Sequence, residues 1–209
     1  MKLLASLLTA AALAAPVFSA FAAGDAPKAA KPDLVKGEAS FTAVCAACHG
    51  ADGNSAIAAN PKLSQQPPEY LVKQLQEFKS GKRNNAIMKG FATALSDDDM
   101  RNIAYWLTSK PAKAGFAKDK DLVAMGERIY RGGIADRQIA ACAGCHSPNG
   151  VGIPAQYPRL SGQHADYTVA QLVNFRDGKR TNSTQMTGVA AKMTDREIKA
   201  VSDYIAGLR

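Results

Sequence analysis

The pentapeptide CAACH occupies residues 45–49 and returns as CAGCH at residues 142–146. The second copy starts 97 residues after the first, and many flanking residues repeat at the same offset. The recurring pairs include Gly53 and Gly150, Pro61 and Pro158, Leu63 and Leu160, Tyr70 and Tyr167, Gln74 and Gln171, Phe78 and Phe175, and Arg83 and Arg180. A chain that repeats itself over this length is predicted to be two copies of one structural unit, each of roughly 85 to 90 residues.

The hydrophobic pattern inside each unit is helical. Within residues 71–78, apolar side chains recur at spacings of three and four, and they stop before Gly81. The last helix of each unit is predicted to open with a capping box, SDDD at residues 96–99 and TDRE at residues 194–197. Because no stretch has the alternation of a run of strands, the sequence predicts an all-α fold of two tandem domains.

The N-terminus and the middle of the chain divide it into four segments. Residues 1–22 combine Lys2, an apolar run and small residues at a cleavage site, a pattern typical of a secretory signal peptide and hence of a periplasmic protein. An uncleaved anchor is the alternative, although the apolar run is short for a membrane span. We expect domains at residues 23–109 and 122–209, joined by a Lys-, Ala- and Pro-rich linker at residues 110–121.

Composition limits the classes of partner. The chain is 46% hydrophobic, as expected of a globular protein, and has a formal net charge of +8. It contains no dense Lys/Arg cluster interleaved with aromatic residues, which excludes nucleic acid as the expected partner. The net positive charge is compatible with binding to acidic protein surfaces and with peripheral association with anionic lipid headgroups.

A Cys-x-x-Cys-His motif is the attachment signal for a c-type haem. The two thiols can add to the two vinyl groups of one haem, and the adjacent histidine can reach the iron as proximal ligand. Two motifs predict two covalently bound haem c groups. The residues assigned to them are Cys45, Cys48 and His49 in the first unit and Cys142, Cys145 and His146 in the second.

Three other kinds of site use paired cysteines: a thioredoxin-like dithiol, a zinc site and structural disulfides. The dithiol is disfavoured because no βαβ pattern accompanies the motifs. A single zinc site of all four cysteines is disfavoured because each pair belongs to its own repeat unit.

The sixth iron ligand separates an electron carrier from an enzyme, because an open position would admit small ligands. Met88 and Met186 are the methionines that recur in both units, 39 residues after His49 and 40 after His146. We therefore predict Met88 and Met186 as the axial ligands opposite the two histidines. The other candidates lack a counterpart in the second unit or fit helix packing better; they are Met100, Met125, Met193 and His164.

Two further recurring pairs have open interpretations. Pro61 and Pro158 either support the proximal histidine through a carbonyl or form a plain turn. Arg83 and Arg180 are interpreted as solvated loop residues, with pairing to haem propionates as the alternative.

The complete pattern resembles the dihaem cytochrome c4 family over essentially the whole mature chain. Each unit carries Cys-x-x-Cys-His, then Pro-x-Leu, Gly-Lys-Arg, Met-x-Gly-x-Ala and a capped final helix. The resemblance implies two domains packed about a pseudo-twofold axis, with the haems near the domain interface. It also implies a periplasmic protein, in some cases membrane-associated, that donates electrons to a terminal oxidase.

The predicted function is outer-sphere electron transfer from a quinol-oxidising complex (quinol–cytochrome c reductase) to a terminal oxidase, without enzymatic activity or a small-molecule substrate. One alternative is a dihaem electron-transfer subunit of a larger dehydrogenase, such as a flavin-containing sulfide dehydrogenase. A second is a dihaem peroxidase, which would need an iron with an open position.

Overall fold

The computed structural model describes residues 31–209, so the signal peptide predicted at residues 1–22 lies outside the described residues. Ten α-helices organise this part of the chain. Those of the first half are α1 Leu34–Val44, α2 Ala46–His49, α3 Pro68–Ser80, α4 Ala86–Thr93 and α5 Asp97–Thr108. Those of the second half are α6 Lys120–Gly132, α7 Ala143–His146, α8 Ala165–Arg176, α9 Thr184–Ala190 and α10 Asp195–Gly207.

The predicted all-α fold class is confirmed. Residues 31–209 contain no strand, and their extended pairing is limited to two isolated bridges, Ile134 with Ile139 and Ile153 with Tyr157. The five helices of one half follow the same order as the five of the other. None of the helices among these residues is both long enough and apolar enough to span a membrane.

Helix ends occur where the local chemistry predicts them. Ser96 and Thr194 each accept a backbone N–H at the third helical position, and the acidic residue there bonds back to the cap, so both predicted capping boxes form. Helix α3 starts with Pro68 in its first turn and ends at Gly81, whose φ of 83° places it in the left-handed region that glycine adopts without strain.

Each half has its own hydrophobic core, built chiefly between its first and last helices. In the first half, Phe41 of α1 packs against Trp106 of α5 with tilted rings whose centroids are 4.9 Å apart. In the second half, Tyr130 of α6 and Tyr204 of α10 meet at 5.5 Å. The buried residues of the two cores form separate clusters, which agrees with the predicted repeat.

A glycine brings the first and last helices of each half into close contact. A Cβ at Gly37 would lie 2.2 Å from the carbonyl oxygen of Asn102 in α5. A Cβ at Gly126 would lie 2.2 Å from the carbonyl oxygen of Ala200 in α10. Any larger residue must push the two backbones apart, so these helix pairs depend on the missing side chain.

The second half has an insertion, residues 133–141, between its first helix and its motif, whereas α1 ends directly before Cys45. This insertion is an ordered loop. Gly133 ends α6, a single 3-10 turn at Ala135–Arg137 follows, and the bridge from Ile134 to Ile139 closes the loop. Arg137 forms an ion pair with Glu197 of α10. The extra residues are therefore anchored to the last helix of the same half.

The connection between the halves is held in place along its length. Asn54 binds it from the first half, donating to the Pro111 carbonyl at 2.9 Å and accepting from the Lys113 N–H at 2.7 Å. Asp203 binds it from the second half through the N–H groups of Lys118 and Asp119. Helix α6 begins at Lys120, so the last two residues of the predicted linker, residues 110–121, are already helical.

We predict that Gly37→Ala and Gly126→Ala each lower the free energy of unfolding by about 1–3 kcal/mol, because the new methyl group collides with a backbone carbonyl. Urea denaturation of the haem-containing protein, followed by circular dichroism, would measure this. Gly132→Ala is the matched control, since no atom lies within 4 Å of a Cβ at that helical position. Equal midpoints for Gly126→Ala and Gly132→Ala would contradict the close contact.

Candidate functional site

A single cavity of about 1080 Å³ is lined by both Cys-x-x-Cys-His motifs. Its wall is built from both halves and mixes apolar side chains, such as Phe41 and Leu172, with a smaller polar set. A space of this size is slightly larger than the usual range for a single cofactor or ligand pocket, about 300–1,000 Å³. The motif residues on its wall are Cys45, Cys48, His49, Cys142, Cys145 and His146.

A short helix presents each motif. Cys45 caps the end of α1 and begins α2, so Cys45 and Cys48 are three residues apart on one helical turn and share a face. His49 is the last residue of that helix and is 7% exposed. Helix α7 repeats the arrangement, with Cys142 as its cap and His146 5% exposed.

A proline carbonyl sets the orientation of each motif histidine. Nδ1 of His49 lies 3.0 Å from the carbonyl oxygen of Pro61, and Nδ1 of His146 lies 2.9 Å from that of Pro158. A carbonyl only accepts, so Nδ1 is the protonated nitrogen and Nε2 keeps its lone pair. Of the two open interpretations of the prolines, support of the histidine is confirmed.

The histidines are held in the form that binds metals. Burial lowers the pKa of His49 and of His146, and the hydrogen bond to the proline carbonyl offsets only part of that effect. Each imidazole is therefore neutral at physiological pH and can donate its Nε2 lone pair to an iron.

The thiols lack the properties of a reactive dithiol. Burial raises the pKa of the Cys45 thiol to about 11, with a smaller contribution from Cys48, and burial also raises that of Cys142 to about 11. A redox-active dithiol needs the opposite shift, because the thiolate is the nucleophile. All four cysteines are free of disulfides.

The four cysteines also do not converge on one zinc ion. Within residues 31–209, no three or more His, Cys, Asp or Glu side chains come together as a metal site. The arrangement is therefore two separate pairs, each followed by its own histidine.

Met88 and Met186 lie on the same cavity wall as the two histidines. Each is the third residue of a short helix, α4 or α9, and is partly buried. The cap of that helix fixes its backbone: Asn85 Oδ1 accepts the Met88 N–H at 2.9 Å, and Ser183 Oγ accepts the Met186 N–H at 3.3 Å. The structure thus brings together the two predicted sets of motif residues and methionines.

The alternative methionines pack into the two cores. Met100 is fully buried in the first core, Met125 packs against the second, and Met193 is 4% exposed in the second core, where it also lines the cavity. His164 points its Nε2 at the carbonyl oxygen of Ser55 in the other half, 2.8 Å away.

Arg83 and Arg180 are not solvated loop residues, and that prediction was wrong. They are 8% and 9% exposed, and their guanidinium groups lie 4.5 and 4.4 Å from the ring centroids of Phe78 and Phe175. The aromatic face and a set of polar partners compensate for burial of the charge, which a sequence alone could not show.

The two arginines join the halves. Arg83 donates to Gln74 at 2.8 Å in its own half and to Gln171 at 2.9 Å in the other. Arg180 donates to Gln171 at 2.8 Å in its own half and to Gln74 at 3.2 Å in the other. Tyr167 and Tyr70 accept from Arg83 and Arg180 at 2.9 and 3.4 Å.

One carboxylate breaks this symmetry. Glu77, 7% exposed, accepts from Asn182 of the second half at 2.6 Å and from Lys73 at 2.8 Å. The residue at the repeat position of Glu77 is Asn174. The sequence already contained a signal for this polar cluster, because Tyr70, Gln74 and Arg83 all recur in the second unit.

These features fit two covalently held haem groups. Each thiol pair could attach one haem, and each neutral histidine could bind its iron through Nε2; the methionines on the same wall carry thioether groups that could serve as further ligands. Arg83 and Arg180 also line the cavity, where a guanidinium can bind a carboxylate.

Comparisons with known proteins agree with this arrangement. A cytochrome c family profile matches residues 34–110 and again residues 123–209. Cytochrome c4 of Pseudomonas aeruginosa is 46% identical over 211 residues, covering 99% of this chain and 98% of the relative. The crystal structure of reduced recombinant cytochrome c4 from Pseudomonas stutzeri matches with a TM-score of 0.81 and 45% identity, covering 86% of this chain and 100% of that chain.

A further relative has a more specific name. The thiosulfate dehydrogenase electron acceptor of Stutzerimonas stutzeri is 40% identical over 169 residues, covering 78% of this chain and 78% of the relative.

We predict that Arg83→Lys and Arg180→Lys each lower the free energy of unfolding by about 1–3 kcal/mol, because lysine keeps the charge but loses the planar fork and the ring contact. Urea denaturation followed by circular dichroism would measure the loss. Arg128→Lys, at an exposed position on α6, is the matched control and should change stability by less than about 0.5 kcal/mol. If Arg83→Lys behaved like Arg128→Lys, the arginine cluster would not join the halves.

Proposed function

Because the chain belongs to the cytochrome c family, among the dihaem cytochromes c4, and carries two covalent haem c groups, we propose that it is a periplasmic carrier between respiratory complexes. Electron carriage itself is the role of this group of proteins. The proposal concerns the residues that hold each haem, the compartment of the protein and its redox partners.

Each haem is assigned its own set of residues. Cys45 and Cys48 attach the first, with His49 and Met88 as its axial ligands. The second set is Cys142 and Cys145 for attachment, with His146 and Met186 as axial ligands. The observation that carries this proposal is that two equivalent sets of thiols, neutral histidine and methionine line one cavity.

The protein controls the redox properties through its own side chains. Haem iron supplies the one-electron chemistry. A thioether ligand such as Met88 favours the reduced state and so raises the reduction potential. The hydrogen bond from His49 to Pro61 makes the imidazole a stronger donor, which acts in the opposite direction. Apolar walls exclude water, and two strong axial ligands leave no position for a substrate.

The proposed partners are a quinol–cytochrome c reductase as donor and a terminal oxidase as acceptor. The raised potential expected of His/Met ligation suits a protein between those two complexes. Cleavage of the signal peptide removes Lys2 and lowers the formal charge from +8 to +7, and ionised haem propionates lower it further. The remaining positive charge supports approach to acidic protein surfaces and peripheral contact with anionic membranes.

The compartment and the segment boundaries belong to the same proposal. The pattern at residues 1–22 supports export through a cleaved signal peptide. We place the domains at residues 23–109 and 122–209, with a connection at 110–121; in support, α5 ends at Thr108 and α6 begins at Lys120.

A second candidate is an electron-transfer role beside a dehydrogenase. The similarity to a thiosulfate dehydrogenase electron acceptor supports this second candidate. In that role the donor is an enzyme of sulfur oxidation, and the same two haem sites serve it.

We predict two low-spin haems with sulfur-to-iron bonds. Met88→Leu and Met186→Leu keep the volume but remove the sulfur, so each should halve the near-infrared sulfur-to-iron band of the ferric protein. Pyridine haemochrome quantitation should still give two haems per chain. Met125→Leu is the control and should leave the band unchanged. An unchanged band in Met186→Leu, or a high-spin signal in the unaltered protein, would refute the ligand assignment.

We further predict the direction of electron flow. Ferric protein added to membranes of the source organism with quinol should become reduced, and an inhibitor of the quinol–cytochrome c reductase should block this step. Reoxidation should stop with cyanide, which blocks the terminal oxidase, and heat-treated membranes serve as the control. Reduction that requires thiosulfate and copurification with a dehydrogenase would support the second candidate instead.

A further inference from the structure

Two glutamine side chains cross between the halves and bind backbone groups in a reciprocal manner. Gln163 of the second half accepts the Lys62 N–H through Oε1 at 2.9 Å and donates Nε2–H to the Lys62 carbonyl at 2.9 Å. Gln66 of the first half accepts the Arg159 N–H at 3.0 Å and donates to the Arg159 carbonyl at 2.8 Å. Gln66 and Gln163 occupy the same position in the two repeat units.

The peptide groups that they bind are those that hold the motif histidines. The Lys62 N–H and the Pro61 carbonyl belong to one peptide group, and that carbonyl accepts Nδ1–H of His49. The Arg159 N–H and the Pro158 carbonyl likewise form one peptide group, whose oxygen accepts from His146. A continuous chain of hydrogen bonds therefore runs from His49 through one peptide plane to Gln163, and an equivalent chain runs from His146 to Gln66.

Hydrogen bonds in such a chain strengthen each other. When Gln163 accepts the amide proton, it polarises the peptide and makes the Pro61 oxygen a better acceptor. The stronger bond to Nδ1–H increases electron donation from Nε2 of the histidine. Both glutamines are about 5–6% exposed, so water does not weaken these bonds by competition.

We propose that Gln66 and Gln163 are positioning residues that tune the proximal histidine of the opposite half. The assignment rests on the proposed function only in taking His49 and His146 as iron ligands. It makes the redox properties of each haem depend on a residue of the other unit, in a crossed pattern.

If Gln66 and Gln163 only stabilised the interface between the halves, a different result would be expected. The arginine cluster already joins the halves, and it does not bond to the Pro61–Lys62 or the Pro158–Arg159 peptide group. If the glutamines only added adhesion, their loss would loosen the interface and affect both haems alike. A crossed effect requires the chain of hydrogen bonds.

The test uses the haem-containing protein with Gln163→Met or Gln66→Met, which keep the side-chain length and lose both polar groups. In Gln163→Met, the first-half haem should show a higher reduction potential, because its histidine donates less strongly. Exchange of the His49 Nδ1 proton with solvent, followed by NMR of the ferrous protein, should become about tenfold faster. Gln66→Met should give the same changes at His146 and the second-half haem.

Two further variants complete the design. Gln163→Asn and Gln66→Asn retain both hydrogen-bonding groups on a shorter side chain, so they should show the crossed pattern with smaller amplitude even if the methionine variants fold poorly.

A change at the haem of the same half, an equal change at both haems or no change at either would overturn the proposal. A ferric spectrum without two low-spin haems in the unaltered protein would instead refute the ligand assignment itself. The two failures are therefore distinguishable.

Discussion

The hydrogen bond from each motif histidine to a proline carbonyl is the interaction on which the site depends. It selects the tautomer, leaves Nε2 free as a donor and orients the ring toward the cavity. The histidine follows directly on a helical turn that carries both thiols, so one short segment positions three of the four groups that we propose for each haem. In that proposal the methionine comes from a separate helix on the same wall, α4 or α9, whose cap fixes the methionine backbone.

The interface between the halves explains why so many polar residues are buried in a small protein. Two guanidinium groups are removed from water, at a cost that only complete hydrogen bonding and aromatic contact can offset. Gln74 and Gln171 each accept from both arginines, so loss of any one member leaves charged partners unsatisfied. Such a cluster favours one arrangement of the two halves, and that arrangement places both haem sites on one cavity.

Much of the fold and of the haem sites could be predicted from the sequence because the same pattern of residues occurs twice. The helical order, the capping boxes at Ser96 and Thr194 and the attachment motifs depend on local patterns that survive without knowledge of contacts. The buried arginines were misinterpreted because solvent exposure depends on which surface the other half covers, and periodicity does not report that. Gln66 and Gln163 recur at the same offset as the motifs, yet their role appears only when the two units are placed face to face.

The crossed contacts have the geometry of an isologous homodimer. Residue i of one unit meets residue j of the other, and j of the first meets i of the second, as Arg83 does with Gln171 and Arg180 with Gln74. The chain is in this sense a dimer whose subunits are fused by the connection at residues 110–119. The subunits of a symmetric homodimer have identical sequences, whereas the two halves of a fused chain can differ. Glu77 has Asn174 at its repeat position, so the two halves can acquire different electrostatic surroundings while keeping one common interface.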